Sequence, residues 1–86
     1  MDRIMPGDTV IHFKNELGRS DCFYRVLNYA INAEDGQKVV VYQALYEPYQ
    51  LFIRTMDDFF AEVDKKKYPC IKQRYRFEKC KRRIGL

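Results

Sequence analysis

A chain of 86 residues is one domain that buries only about 60% of its unfolded surface, which excludes a deep, many-layered active site. Aromatic residues make up 15% of it, seven Tyr and six Phe with no Trp, and that share of large rings favours a folded globule over a disordered chain. The net charge of +4 hides a division: residues 1–64 carry six basic against eleven acidic side chains, net −5, whereas residues 65–86 carry ten basic against Glu78 alone, net +9.

A basic end of this kind either draws a polyanion or serves solubility. Cys22, Cys70 and Cys80 are odd in number and form no C-x-x-C pair, and His12 is the only histidine. No zinc set can be assembled from them, so reduced structural thiols, a cytoplasmic location and no cofactor or metal are expected. No apolar run reaches the length of a membrane span, and Met1 to Asp8 lacks the apolar core of a secretory signal, so neither a membrane partner nor a leader is expected.

The chain opens with a turn at Met5-Pro6-Gly7-Asp8 and a first strand over Thr9 to Lys14. Val10 and His12 share one face of it, Ile11 and Phe13 the other. Asn15 to Asp21 has the polar and glycine content of a surface loop; Ser20 in it lacks the G-x-S-x-G setting of a nucleophile. Cys22 to Asn32 resumes strand composition with neither face cleanly polar, as in a long, bent strand shared between two halves of a barrel. Ala33 to Gln37 is a hairpin loop in which Gly36 supplies a positive φ.

Lys38 to Tyr46, KVVVYQALY, is the densest β-forming run and reads as the central strand, with Val40, Tyr42, Ala44 and Tyr46 on one face. Glu47-Pro48-Tyr49 turns the chain into a fourth strand, Gln50 to Arg54. Thr55 and Asp58 form a capping-box variant, and Met56, Phe59, Phe60 and Val63 follow a helical spacing, which predicts a short helix over about 56–63 packed on the core. Asp64 to Pro69 is a solvated connection. Cys70 to Lys79 alternates Ile71, Gln73, Tyr75 and Phe77 against Lys72, Arg74, Arg76 and Glu78, which predicts a closing strand with a positive outer face. The expected organisation is a domain over 1–78 with a basic C-terminal end over 79–86.

His12-Phe13-Lys14, Tyr24 to Leu27, Val40 to Tyr46, Phe52 to Met56 and Arg76-Phe77-Glu78, five motifs in this order, resemble the family known as domain of unknown function 1653, over roughly residues 6–78. The resemblance implies a mainly β, SH3-like barrel or roll of about five antiparallel strands, in small, mostly bacterial proteins of uncharacterised biochemistry. Family members usually have a shorter first loop, so Asn15 to Asp21 looks like an insertion. They also usually carry Trp-Val-Arg-Pro where this chain has Phe52-Ile53-Arg54-Thr55, which implies a less rigid rim here.

If the strands pair as expected, His12, Tyr24, Tyr42, Tyr46 and Arg54 converge at one mouth of the barrel. Stacking rings, a bidentate guanidinium and an imidazole suit a planar or anionic ligand such as a nucleobase, a phosphate or a peptide carboxylate. Alternatively Arg54 pairs with Asp57 or Asp58 and the tyrosines only pack. The leading expectation is a noncatalytic module binding a peptide or small ligand on this Tyr/Arg surface. The alternative is a nucleic-acid partner held by Lys72, Arg74, Arg76, Lys79, Lys81, Arg82 and Arg83. No nucleophile–base pair or metal set points to an enzyme.

Overall fold

Gly36 closes the predicted hairpin at φ 73°, a left-handed geometry that a residue without Cβ adopts freely. Asn32 N–H donates to Gln37 O at 2.8 Å, and the Asp35 carboxylate accepts the Gln37 N–H at 2.9 Å, so the loop satisfies itself. From it run β2 (Phe23–Ile31) and β3 (Lys38–Ala44) of the computed structural model, which describes residues 3–80. β4 (Leu51–Thr55) pairs with β3, β1 (Thr9–His12) with β2, and β5 (Phe77–Lys79) with β1. The result is one antiparallel sheet in the order β4-β3-β2-β1-β5, with α1 (Met56–Phe59) as the one α-helix among the described residues. The fold is mainly β, as expected.

The sheet is rolled. Tyr42 on β3 and Phe77 on β5 stand three strands apart, about 14 Å in a flat sheet, yet their ring centroids are 5.5 Å apart. Ile4, Val10, Val26, Val40, Tyr42, Phe59 and Phe77 fill the inside of the roll, each burial contributing about 1.5–3 kcal/mol for the larger side chains. A smaller cluster of Phe13, Val63 and Ile71, with Tyr68 against it, closes one end. A register shift between Val26 and Asn28 bends β2. Strict two-residue alternation would set Tyr29 on the face opposite Tyr24 and Val26, but past this shift it joins them on the core side, its hydroxyl donating to Ile4 O at 2.7 Å.

The second and central strands end within two residues of expectation, at Ile31 and Ala44, while three other elements are much shorter than the sequence pattern suggests. The first strand ends at His12, and Phe13–Leu17 winds into a 3-10 turn. His12 Nδ1 accepts the Lys14 N–H at 3.2 Å, Asn15 Nδ2 donates to His12 O at 2.8 Å, and Gly18 caps the turn. The helix stops at Phe59 rather than near residue 63, although Thr55 Oγ1 accepts the Asp58 N–H as the capping pattern requires. Beyond it, Val63 N–H donates to Arg74 O, Arg76 N–H to Ala61 O, and Glu62 bridges Tyr75, so tertiary pairing outcompetes a second turn.

The closing strand predicted over Cys70 to Lys79 is ordered strand only at Phe77–Lys79. Side chains satisfy its backbone instead. The Glu16 carboxylate accepts the Lys72 and Gln73 N–H groups, Lys65 Nζ donates to the Ile71 and Gln73 carbonyls, and Glu78 accepts the Arg74 and Tyr75 N–H groups. β5 continues the pairing through Lys79, and Cys80 N–H donates to Thr9 O at 2.9 Å. Lys81, Arg82 and Arg83 lie outside the described residues.

Phe77 is fully buried and stacks flat on Phe59 at 4.3 Å. Phe77→Ala is therefore expected to lower the unfolding free energy by about 3–5 kcal/mol, read by urea denaturation. Ile53→Ser, at a 65% exposed position, is expected to change it by about 0.5 kcal/mol or less.

Candidate functional site

Because the sheet rolls, its inner face opens at the end where β1 leaves for the 3-10 turn. A cleft of about 190 Å³ lies there, walled by Tyr24, Tyr42, Phe52 and Phe77 and edged by His12, Lys14, Arg19, Asp21, Cys22 and Arg54. Each strand contributes through its two-residue period: Tyr24 from β2, Tyr42 from β3, Phe52 and Arg54 from β4. Four of the five expected residues, His12, Tyr24, Tyr42 and Arg54, meet in this cleft. Tyr46 lies past the end of β3 and reaches the group by a 2.8 Å hydroxyl contact with Tyr24.

Arg54 is both paired and available. Its Nε donates to the Tyr42 hydroxyl at 2.8 Å and its Nη1 to Asp58 at 2.6 Å, while Arg76 holds the other oxygen of the same carboxylate. The guanidinium also lies over the Phe77 ring, 5.6 Å from its centroid. Asp58 thus sits between two arginines, and the pairing expected of Arg54 coexists with the cleft rather than closing it. Of the five N–H donors on a guanidinium, Tyr42 and Asp58 take two, and the other three have no hydrogen-bond acceptor among the described residues.

The imidazole of His12 packs against the Phe13 and Phe77 rings. Burial, followed by the positive charges of Arg54, Lys14, Arg76 and Arg19, lowers its pKa to about 4. It is neutral at pH 7. With Nδ1 accepting from Lys14 N–H, the ring proton resides on Nε2, which makes His12 a donor. Burial likewise pushes the Tyr24 hydroxyl, the Tyr42 hydroxyl and the Cys22 thiol up, Arg54 partly offsetting the effect at Tyr42.

A second cleft of about 270 Å³ adjoins the first, lined by Phe13, Asp64, Lys67, Tyr68 and Arg76 together with His12, Lys14 and Arg54. Sequence reasoning did not find Lys14, Arg19, Phe52, Phe77 or this second compartment. Lys14 enters only because the chain turns 3-10 after His12, and Phe77 only because the sheet rolls. The position of Lys14 two residues after His12 is the one local signal. The expected basic face is dispersed: Arg74 pairs with Glu62 at 3.0 Å, Arg76 with Asp58, and Lys79 with Asp8 at 3.4 Å, while Lys72 is exposed.

Among the described residues no group of His, Cys, Asp and Glu is placed to hold a metal ion, and no helix is long and apolar enough to cross a membrane. Fold and site together define a small mainly β domain with an open cleft of aromatic walls and cationic edges. The family model described as protein of unknown function (DUF1653) matches residues 8–79, and the chain belongs to that family. No curated protein and no solved structure matches the chain.

The unfolded chain protonates His12 near pH 6.5, whereas the folded protein holds it neutral down to about pH 4, so the unfolded state binds more protons between these values. Stability is expected to fall as pH drops, by about 1 kcal/mol or less from pH 6.5 to 5 because solvent screens a half-buried group. His12→Asn, which keeps an acceptor for Lys14 N–H, is expected to flatten that slope in urea unfolding measured across the window. The same slope in both proteins would contradict a buried, neutral imidazole.

Proposed function

We propose that the domain is a noncatalytic binding module, an SH3-like roll that takes a planar or anionic group of a peptide or small ligand against its Tyr/Arg surface. The observation that carries this reading is the state of Arg54: fixed by Tyr42 and Asp58, yet with donors left beside an aromatic-walled cleft. A guanidinium held in place by the protein loses less freedom on binding a planar anion than a mobile one. At about 190 Å³ the cleft is smaller than the roughly 300–1,000 Å³ of sites for drug-sized ligands. It suits one ring or one side chain.

The acid–base character of the lining favours binding over catalysis. An efficient general acid or base titrates near the working pH, and here the resolved shifts move away from it: His12 falls to about 4, while Cys22, Tyr24 and Tyr42 rise. A thiol kept protonated is a poor nucleophile.

N-acetyltyrosine, a single ring with a free carboxylate, is the simplest probe. Titrated into the labelled protein, it is expected to shift the NMR signals of Tyr24, Tyr42, Phe52 and Arg54 saturably. Tyr42→Phe removes only the hydroxyl that holds Arg54 and is expected to weaken binding about threefold to tenfold, the worth of one hydrogen bond. Saturable shifts confined to other surfaces, or none at millimolar probe, would contradict the reading.

A further inference from the structure

The two clefts share three residues, His12, Lys14 and Arg54, and each presents hydrogen-bond donors. They come from three separate places in the fold: the end of β1, the 3-10 turn and the last residues of β4. We infer that these three residues form an oxyanion subsite at the junction of the clefts, and that the ligand is an aromatic phosphate monoester with its ring against Tyr24, Tyr42 and Phe52. The inference rests on the binding reading above and names the ligand class for the same site.

Three features favour a phosphoryl group. A planar carboxylate is satisfied by one guanidinium edge, whereas donors from three separate elements suit a tetrahedral group with several terminal oxygens. The charge balance of the joined clefts suits a dianion: Lys14, Arg19, Arg54, Lys67 and Arg76 line them against Asp21 and Asp64. Those carboxylates are engaged, Asp21 by Arg19 and Asp64 by the Lys66 and Lys67 N–H groups, and Asp58 behind them is held by Arg54 and Arg76. Lys14 Nζ has no carboxylate partner among the described residues.

The ring compartment and the phosphoryl compartment are adjacent because Tyr42 and Arg54 are joined by a hydrogen bond. A ring stacked beside Tyr42 therefore carries its phosphate toward the guanidinium. Stacking on such walls supplies affinity for the ring, and the charge-assisted hydrogen bonds supply orientation.

Phenyl phosphate and benzyl alcohol, titrated against the full chain and followed by the His12 ring signals and the Tyr and Phe ring signals, test this directly. Phenyl phosphate is expected to bind at least about tenfold more tightly than benzyl alcohol. Lys14→Met, which leaves the backbone N–H to His12 in place, is expected to abolish most of that difference. An N-acetyl phosphotyrosine amide that binds markedly tighter than phenyl phosphate assigns the group to a peptide; equal affinities assign it to a free aryl phosphate. Equal binding of both simple probes, unaffected by Lys14→Met, would overturn the subsite and leave the aromatic cleft standing. Absence of any cleft perturbation by either probe would overturn both.

Discussion

One ring, that of Phe77, connects the core of this protein to its cleft. It arrives on the last strand, stacks on Phe59 of α1, and meets Tyr24 of β2, Tyr42 of β3 and His12 of β1 edge-on. Arg54 of β4 lies over it. A flat five-stranded sheet would keep β4 and β5 at opposite edges, and the rolled sheet brings both to this ring. With few residues available for a core, the same aromatic cluster that pulls the sheet into a roll also lines the wall of the opening.

That economy explains why the polar groups at the site are held in place. Asp58 shares its carboxylate between Arg54 and Arg76, with side chains between 35% and 39% exposed, and pairs this accessible contribute on the order of 1 kcal/mol or less to stability. Their consequence is positional. They fix a guanidinium beside the cleft while the buried rings beneath provide the stability, so recognition and folding draw on different interactions made by neighbouring residues. The neutral His12 follows from the same arrangement, since it is partly buried among rings and stands near the positive charges of Arg54, Lys14, Arg76 and Arg19.

The sheet was largely legible in the sequence where local rules decide it. Two-residue alternation placed Tyr42 on the inner face of β3, the Asp35-Gly36 pair marked the hairpin, and Thr55 marked the start of α1; the family resemblance added the expectation of a roll, and four of the five expected site residues do meet. What escaped was decided by distant partners. Glu16 takes the N–H groups of Lys72 and Gln73, some 56 positions away, and this bond both orders the turn after His12 and replaces a strand that the alternation from Ile71 to Phe77 suggests. The bulge at Leu27 reverses the faces of β2 without any glycine to announce it. Lys14 became a site residue through the turn after His12, and Phe77 through the rolling of the sheet.

The central claim is that the sheet rolls around Phe77 and that the cleft is built on that roll. Selective labelling of phenylalanine rings and measurement of nuclear Overhauser contacts from Phe77 tests it most directly. Contacts to His12, Tyr24, Tyr42 and Phe59 together are the predicted result. Contacts to His12 alone, its partner across the β1–β5 ladder, would mean an open sheet and would contradict both the fold and the site described for this protein.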